Sequence, residues 1–152
     1  MKVLITYDTF YGNTQKVAES VQAALIGNET ELIRIDILTQ DKIDNADLVI
    51  LGSPTRAFNM TKKIRKAIRK YTYTGKLFWV FDTRANIKDV ESKTLLKLVE
   101  HFGYAAEKME KILLKKGAVK KADYSGYFVK DTEGPLYEDV LDLVKIDVKK
   151  LI

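Results

Sequence analysis

The pattern of apolar and polar positions switches repeatedly between a strand period and a helix period. Residues 2–7 form an apolar run and residues 14–26 place apolar side chains at helical spacing, which predicts a strand, a loop and a helix in that order. Residues 46–52 and 76–81 are almost wholly apolar, as central parallel strands are when helices cover both faces. Residues 31–37 alternate apolar with charged side chains, which predicts a strand at the sheet edge.

The second half of the chain continues the alternation. Apolar spacing predicts helices at residues 61–71, 90–102 and 104–116, and a final helix after Gly134 and Pro135. A last strand signal lies within residues 118–129 and is interrupted near Asp123. Strands that alternate with helices imply right-handed crossovers, so the chain is predicted to form an α/β protein with a mostly parallel, doubly wound sheet of five strands.

The order of the elements also predicts where a ligand would bind. In a doubly wound sheet, ligands occupy the crevice outside the carboxyl ends of the strands, where the strand order reverses. The loops that reach this crevice are residues 8–14, 52–60 and 82–90. Candidate binding residues are therefore expected in these three loops.

Composition narrows the kinds of chemistry that the chain supports. Its 152 residues fit one domain, residues 1–152, and contain no cysteine, which excludes disulfides, iron–sulfur clusters and thiol catalysis. Any redox chemistry must then come from a bound cofactor.

The sole histidine, His101, predicts no metal site, because such a site needs several ligands. The first residues contain too few apolar side chains to form a signal peptide, so a cytoplasmic location is expected.

The positive charge is concentrated in one segment. The net charge is +5, yet residues 1–47 carry four basic and eight acidic side chains, whereas residues 48–81 carry eight basic and no acidic ones. The helix between Lys62 and Lys70 lacks aromatic or polar base-reading residues, so nucleic acid is not the expected partner. Either this helix presents a solvated face, or an acidic redox partner docks on it.

The first loop carries the strongest functional signal. It offers three hydroxyls, an amide, a glycine and successive backbone N–H groups without any Lys or Arg, in the order Thr9-Phe10-Tyr11-Gly12-Asn13-Thr14. Unpaired N–H groups and the positive end of the following helix dipole can hold a phosphate at such a loop. Glycine lets the backbone approach the phosphate closely. The alternative interpretation is that Asn13 and Thr14 only cap the helix.

The run from Tyr7 to Ala18 resembles the phosphate loop of the flavodoxin family, especially the version in the flavodoxin domains of A-type flavoproteins. The family pattern is Ser or Thr, any residue, Thr, Gly, Asn, Thr, and the departure here is Tyr11 in place of the middle Thr. The resemblance covers nearly the whole chain. It implies flavin mononucleotide (FMN) as cofactor and a three-layer α/β sandwich with a five-stranded parallel sheet in the order 2-1-3-4-5.

The second and third loops resemble the same family less specifically. The run Gly52-Ser53-Pro54-Thr55 resembles the wall that packs against the ribityl chain and ring, with Phe58 as the candidate ring-stacking residue or else a core residue. The resemblance also implies that the loop beginning Asp82-Thr83-Arg84 reaches the pyrimidine edge of the flavin ring.

Two arginines suggest a hypothesis for the reduction potential of that ring. A cation near N1 and C2=O would stabilise the reduced flavin, so Arg84 and Arg56 predict a less negative second reduction potential than acidic flavodoxins have. Both arginines would otherwise be solvated surface charges.

The resemblance implies a small FMN-binding electron-transfer protein that shuttles electrons between redox enzymes and needs no catalytic residue. Two alternatives stay open: an NAD(P)H-dependent FMN or quinone reductase on the same fold, and a flavodoxin-like interaction module that has lost its flavin. Expected partners are redox proteins, with no membrane partner, and the expected assembly is a monomer or weak dimer. Between Arg84 and Tyr104 lies an excursion of unassigned role.

Overall fold

A computed structural model describes residues 1–89 and 92–152. Within these residues, six strands form one parallel sheet. The strands are β1 (Lys2–Tyr7), β2 (Glu29–Arg34), β3 (Leu48–Pro54), β4 (Leu77–Ala85), β5 (Val119–Lys120) and β6 (Ser125–Val129). Their order is β2-β1-β3-β4-β5, and β6 also pairs with β4.

Helices cover both faces of the sheet. They are α1 (Asn13–Ala24), α2 (Gln40–Asn45), α3 (Lys62–Lys70), α4 (Lys93–Phe102), α5 (Ala105–Lys115) and α6 (Val140–Val148). One hydrophobic core joins the sheet to α1 and α6, and the other joins its opposite face to α2, α3 and α5. The predicted three-layer α/β sandwich and its strand order are thereby confirmed.

The last strand of the predicted sheet is divided into two short strands. Strand β5 pairs with the beginning of β4, at Leu77 and Phe78, and β6 pairs with the end of β4 from Phe81 onward. At the break, Trp79 Nε1 donates a hydrogen bond to the carbonyl of Asp123 at 2.9 Å. The predicted interruption near Asp123 is confirmed.

Two predictions near β2 were wrong or incomplete. Residues Ile35–Ile37, predicted as strand, form a 3-10 turn, because β1 ends at Tyr7, the register partner of Arg34, and leaves the chain no strand to pair with. Helix α2 was not predicted because it buries only Ile43, and one apolar residue sets no helical period.

Strand β4 is longer than the sequence predicts, which corrects the position of the third loop. Asp82, Thr83 and Arg84 belong to the strand rather than to the loop after it. Between β3 and β6, the backbone of β4 keeps a partner on both sides: Asp82 is opposite both Ser53 and Gly126. The polar sequence suggested a loop, but pairing on both sides extends the strand.

The segment between Arg84 and Tyr104 contains a 3-10 turn (Ile87–Asp89) and α4, whose amino terminus is capped by Ser92. The helix was predicted from residue 90, but Val90 lies outside the described residues. Within the described ranges, no helix has the length and hydropathy needed to cross a bilayer.

Candidate functional site

A cavity of about 280 Å³ lies at the carboxyl ends of β1, β3 and β4. Ten of the fourteen residues predicted from the three loops line it: Thr9, Phe10, Tyr11, Asn13, Thr14, Pro54, Thr55, Arg56, Thr83 and Arg84. The other four, Gly12, Ser53, Phe58 and Asp82, do not line it. Four further lining residues were not predicted from the sequence, and these are Ala57, Ala85, Val129 and Thr132.

The first loop ends in a helix terminus with free donors. Gly12 adopts φ +86°, in the left-handed region that favours glycine, and α1 begins at the next residue without a side-chain cap. Helices α2, α3 and α4 are capped by Thr39, Thr61 and Ser92. The first turn of α1 has no acidic side chain, so its N–H groups and dipole remain available for an anion. The interpretation of Asn13 and Thr14 as ordinary caps is therefore wrong.

The side chains of this loop fix its shape. Thr9 Oγ1 accepts a hydrogen bond from the Gly12 N–H at 2.9 Å, which closes the turn. The hydroxyls of Thr14 and Thr83 lie 2.7 Å apart and join the loop to β4. The Asn13 amide donates to the carbonyl of Glu133 at 2.7 Å, so it ties the loop to the segment after β6.

The second loop uses its hydroxyls within the protein. Ser53 is buried and its Oγ accepts a hydrogen bond from the Thr61 N–H at 3.1 Å. Thr55 Oγ1 accepts one from the Ala105 N–H at 3.0 Å, which fixes the start of α5. These residues position the wall of the cavity, and Pro54 supplies its surface.

A tight turn after Thr55 directs Arg56 toward the first loop. Arg56 and Asn59 exchange two backbone hydrogen bonds, and the intervening Ala57 and Phe58 have φ of +45° and +64°. The Phe58 ring packs 5.7 Å from the ring of Phe102 in α4 instead of lining the cavity. The aromatic residues that do line it are Phe10 and Tyr11.

Arg56 brings a positive charge to a loop that has none of its own. Its guanidinium carbon lies 4.9 Å from the centre of the Phe10 ring and 5.6 Å from that of Tyr11. Its Nη1 donates to the Tyr11 hydroxyl at 3.3 Å. The long side chain of Tyr11 allows this contact, so the one departure from the flavodoxin pattern pairs with a residue of the second loop.

Arg84 lies at the edge of the cavity with its charge compensated. Its guanidinium forms a two-point ion pair with Asp82, at 2.6 and 2.8 Å, and lies 3.7 Å from the centre of the Tyr104 ring. Asp82 is fully buried and also accepts the Ala106 N–H at 2.8 Å. Burial raises the pKa of Asp82, and the hydrogen bonds and charge of Arg84 oppose that rise.

Gly126 leaves the space that Arg84 needs. A Cβ at Gly126 would lie 2.2 Å from the guanidinium carbon of Arg84, so a side chain there would displace it. Arg84 was predicted from the sequence, whereas Gly126 and Tyr104 were not, because no local motif links these positions.

The arrangement fits FMN. The first N–H groups of α1, which no side chain caps, suit a phosphate at the cavity, and Thr9 also lines it. Pro54, Ala57, Ala85 and Val129 supply apolar walls of the kind that a flavin ring requires. Among the described residues, no group of three acidic, histidine or cysteine side chains could hold a metal ion.

Comparison with known proteins agrees with this geometry. The model of the family described as "Flavodoxin domain" matches residues 4–128 of the chain. The chain belongs to the flavodoxin family. The matched range includes all three strand ends that form the cavity.

One curated relative is a flavodoxin from Aquifex aeolicus (strain VF5), 38% identical over 68 residues. The match covers 43% of this chain and 37% of that flavodoxin, so it spans little more than a third of the relative's length.

Solved flavodoxins share the fold at low identity. Oxidised Flavodoxin 2 from Bacillus cereus superposes with a TM-score of 0.77 at 18% identity, covering 99% of this chain and 97% of that one. A flavodoxin from the domain Archaea gives 0.75 at 16% identity, covering 99% and 96%. The flavodiiron core from Synechocystis sp. PCC6803 gives 0.74 at 18% identity, covering 99% of this chain and 35% of that one.

Proposed function

We propose that this flavodoxin-family protein binds FMN in the cavity and transfers electrons through it between redox enzymes. The observation that carries the proposal is the uncapped amino terminus of α1, which follows Gly12 at φ +86° on one side of a cavity with apolar walls. Helices α2, α3 and α4 use a Thr or Ser side chain for the same donors. Helix α5 has no such cap, but Thr55 and Asp82 accept from its first two N–H groups, and α6, which is also uncapped, does not line the cavity. At α1 these donors are available for a phosphate.

Each part of the site has a distinct task. The N–H groups of α1 bind the phosphate, while Thr14 and Thr83 hold the loop at a fixed distance from β4. The walls around Pro54 and Val129 exclude water from the ring. When bound, FMN supplies the chemistry, because it accepts and releases electrons one or two at a time.

The proposal requires no catalytic side chain. Asp82 and Arg84 neutralise each other beside the cavity, and the Thr55 hydroxyl is engaged with the Ala105 N–H. The protein contributes binding, exclusion of water and electrostatics, which is what an electron carrier needs.

Flavin content tests the proposal directly. The purified protein should be yellow or should become so with added FMN, and denaturation should release FMN rather than FAD. The protein stripped of flavin should bind FMN more tightly than riboflavin, because riboflavin lacks the phosphate that α1 would hold. Failure to bind added FMN would contradict the proposal and favour an interaction module.

Reduction of the bound flavin separates the carrier from the reductase. An electron carrier should keep its flavin oxidised for minutes in anaerobic NADH or NADPH, whereas photoreduction should bleach it. Rapid bleaching by either nucleotide would instead assign the protein to the flavin or quinone reductases.

A further inference from the structure

A second concave surface adjoins the flavin cavity on the side of α3. It is a groove of about 720 Å³, here called the α3 groove. Most of its residues fall into a loop group next to the flavin cavity (Thr9, Phe10, Arg56, Ala57) and a cationic rim (Arg34, Lys62, Lys63, Arg65), and the others are Asp8, Asn59, Met60 and Thr61. The whole loop group also lines the flavin cavity, so the two concavities share a wall.

The rim of the α3 groove carries positive charge that is only partly compensated. Arg34 pairs with Asp8 and Asp36, and Lys63 also pairs with Asp36. Within the described residues, no carboxylate oxygen lies within 4.0 Å of the cationic nitrogens of Arg56, Lys62 or Arg65.

The charge extends beyond the groove. Lys62, Arg65, Lys66, Arg69 and Lys70 form a continuous cationic ridge that runs the length of α3. Nine residues of helix span about 13 Å. A small anion would fill only the groove, whereas a protein surface would cover the groove and the ridge together.

An exposed apolar side chain lies on the side of the α3 groove that adjoins the flavin cavity. Phe10 exposes 57% of its area and Ala57 in the same groove is also exposed, whereas Met60, which lines the groove as well, is buried. Protein interfaces combine apolar contacts of this kind with a polar or charged rim. Because the rim here is wholly of one sign apart from paired acids, it is complementary to a partner with acidic residues around an apolar contact.

We propose that the α3 groove and ridge are the docking surface for an acidic redox protein. This inference rests on the proposed function, since the partner would exchange electrons with bound FMN. A protein docked here covers Phe10, which lies on the wall between the α3 groove and the flavin cavity. The partner would thereby be seated against the wall of the flavin site.

Charge reversal of the ridge tests the docking surface. The test variant is Lys62→Glu/Arg65→Glu/Lys66→Glu, and the matched control is Lys115→Glu/Lys121→Glu/Lys149→Glu, with the same change in net charge on exposed positions outside the groove. None of these six residues lines the flavin cavity. FMN affinity and circular dichroism should therefore match the parent protein in both variants.

Two c-type cytochromes of similar potential, one acidic and one basic, serve as probes. The FMN-loaded protein is photoreduced anaerobically and mixed with excess oxidised cytochrome in a stopped-flow instrument. Each electron leaves the reduced flavin and converts one ferric haem to ferrous haem, which the haem absorbance reports. For the acidic cytochrome, the second-order rate constant should fall as salt rises.

At low salt the test variant should react with the acidic cytochrome at least about tenfold more slowly than the parent, and the control variant less than about threefold more slowly. The basic cytochrome should show the opposite response to the test variant. Equal slowing in test and control variants would mean that net charge alone matters and would overturn the proposal.

Three further outcomes are informative. If inorganic phosphate at constant ionic strength suppresses the reaction as strongly as ridge reversal does, the groove is a small-anion site and the proposal fails. If the parent protein does not bind FMN, the proposed function itself is wrong. The FMN titration shows this before any stopped-flow experiment is made. A protein that binds FMN but reacts without preference for the acidic cytochrome would overturn the docking surface alone.

Discussion

Arg84 and Asp82 form a two-point ion pair at the edge of the cavity, with Nε and Nη2 of the arginine 2.6 and 2.8 Å from the two carboxylate oxygens. The pair sits in β4 with Asp82 fully buried and Arg84 packed over Gly126 and Tyr104. The sequence suggested that Arg84 acts as a free cation near the flavin ring. Because Asp82 compensates its charge, its influence on a reduced flavin should be small.

Removing the Asp82 carboxylate should allow the charge of Arg84 to stabilise the reduced flavin. In Asp82→Asn the charge of Arg84 is no longer compensated, and a unit charge that acts across about 12 Å at an effective dielectric of about 20 contributes about 1.4 kcal/mol, which is about 59 mV for one electron. We therefore expect the second reduction potential to rise by about that amount, as measured by anaerobic redox titration of the FMN-loaded protein.

The double variant Asp82→Asn/Arg84→Gln is the control for this experiment. It removes both charges, so its potential should return close to that of the parent protein. A rise in the double variant equal to that in Asp82→Asn would show that altered packing, rather than the charge of Arg84, causes the shift.

The sequence predicted the parts of the site whose residues are close together along the chain. Periodicity located β1, β3 and α3 because their packing is recorded in local runs of apolar side chains. The loop around Gly12 was predicted because its chemistry is contiguous in sequence. By contrast, the partners of Arg84 are up to 42 residues away, at Gly126, and only the pairing of β4 with β6 brings them together.

Arg56 illustrates the same limit for a contact between loops. It was predicted as a cavity residue, but its association with Phe10 and Tyr11 depends on the tight turn that ends at Asn59. That turn places Ala57 and Phe58 at positive φ without a glycine, so no sequence signal marks it.

Arg56 should contribute to the selection of FMN over riboflavin. It is the cation that contacts the aromatic rings of the first loop, so Arg56→Ala removes attraction for the phosphate charge. We expect FMN affinity to fall about tenfold, or ~1.4 kcal/mol, and riboflavin affinity less than about threefold, in fluorescence-quenching titrations. Lys62→Ala is the control, since Lys62 lines the α3 groove but not the flavin cavity. Equal losses for both flavins would assign Arg56 a packing role.

Gly12 should contribute to FMN binding as well as to the stability of the fold. Its φ of +86° disfavours any side chain, although a Cβ at this position would meet no heavy atom within 4 Å beyond the two adjacent residues. Gly12→Ala should cost about 1–2 kcal/mol of unfolding free energy and weaken FMN binding at least about tenfold by displacing the N–H groups of α1. Chemical denaturation and FMN titration measure the two effects.

Gly27→Ala is a matched control for Gly12→Ala. Gly27 has φ +82° and equally open space, but it lies between α1 and β2, away from the cavity. The two variants should lose similar stability, and only Gly12→Ala should lose FMN affinity. Unchanged affinity in Gly12→Ala would mean that the loop does not hold the phosphate.

Asp147 should make the stability of the fold depend on pH. Its carboxylate accepts hydrogen bonds from Ser125 at 2.8 Å and Tyr127 at 2.9 Å, and Lys150 lies 2.7 Å away, so it joins α6 to β6. Burial works to raise the pKa of Asp147, but the hydrogen bonds from Lys150, Ser125 and Tyr127 together lower it below the ordinary 3.8. A carboxyl whose pKa is lower in the folded state stabilises the fold above the unfolded pKa and loses that contribution as pH falls through the folded value.

Asp147→Asn should therefore cost about 1–3 kcal/mol of unfolding free energy at pH 7, and the difference from the parent protein should shrink as the pH falls below the ordinary carboxyl pKa of 3.8. Urea unfolding at several pH values measures both quantities. Asp142→Asn is the control, because Lys145 is the one cation paired with the Asp142 carboxylate in the part of the chain that the structure describes, and 79% of the Asp142 side chain is exposed. It should change stability by less than about 0.5 kcal/mol at pH 7. A loss of stability in Asp147→Asn that does not change with pH would indicate that packing, rather than the carboxylate charge, holds β6 against α6. This contact bears on the cavity because β6 ends at Val129, which lines the cavity wall.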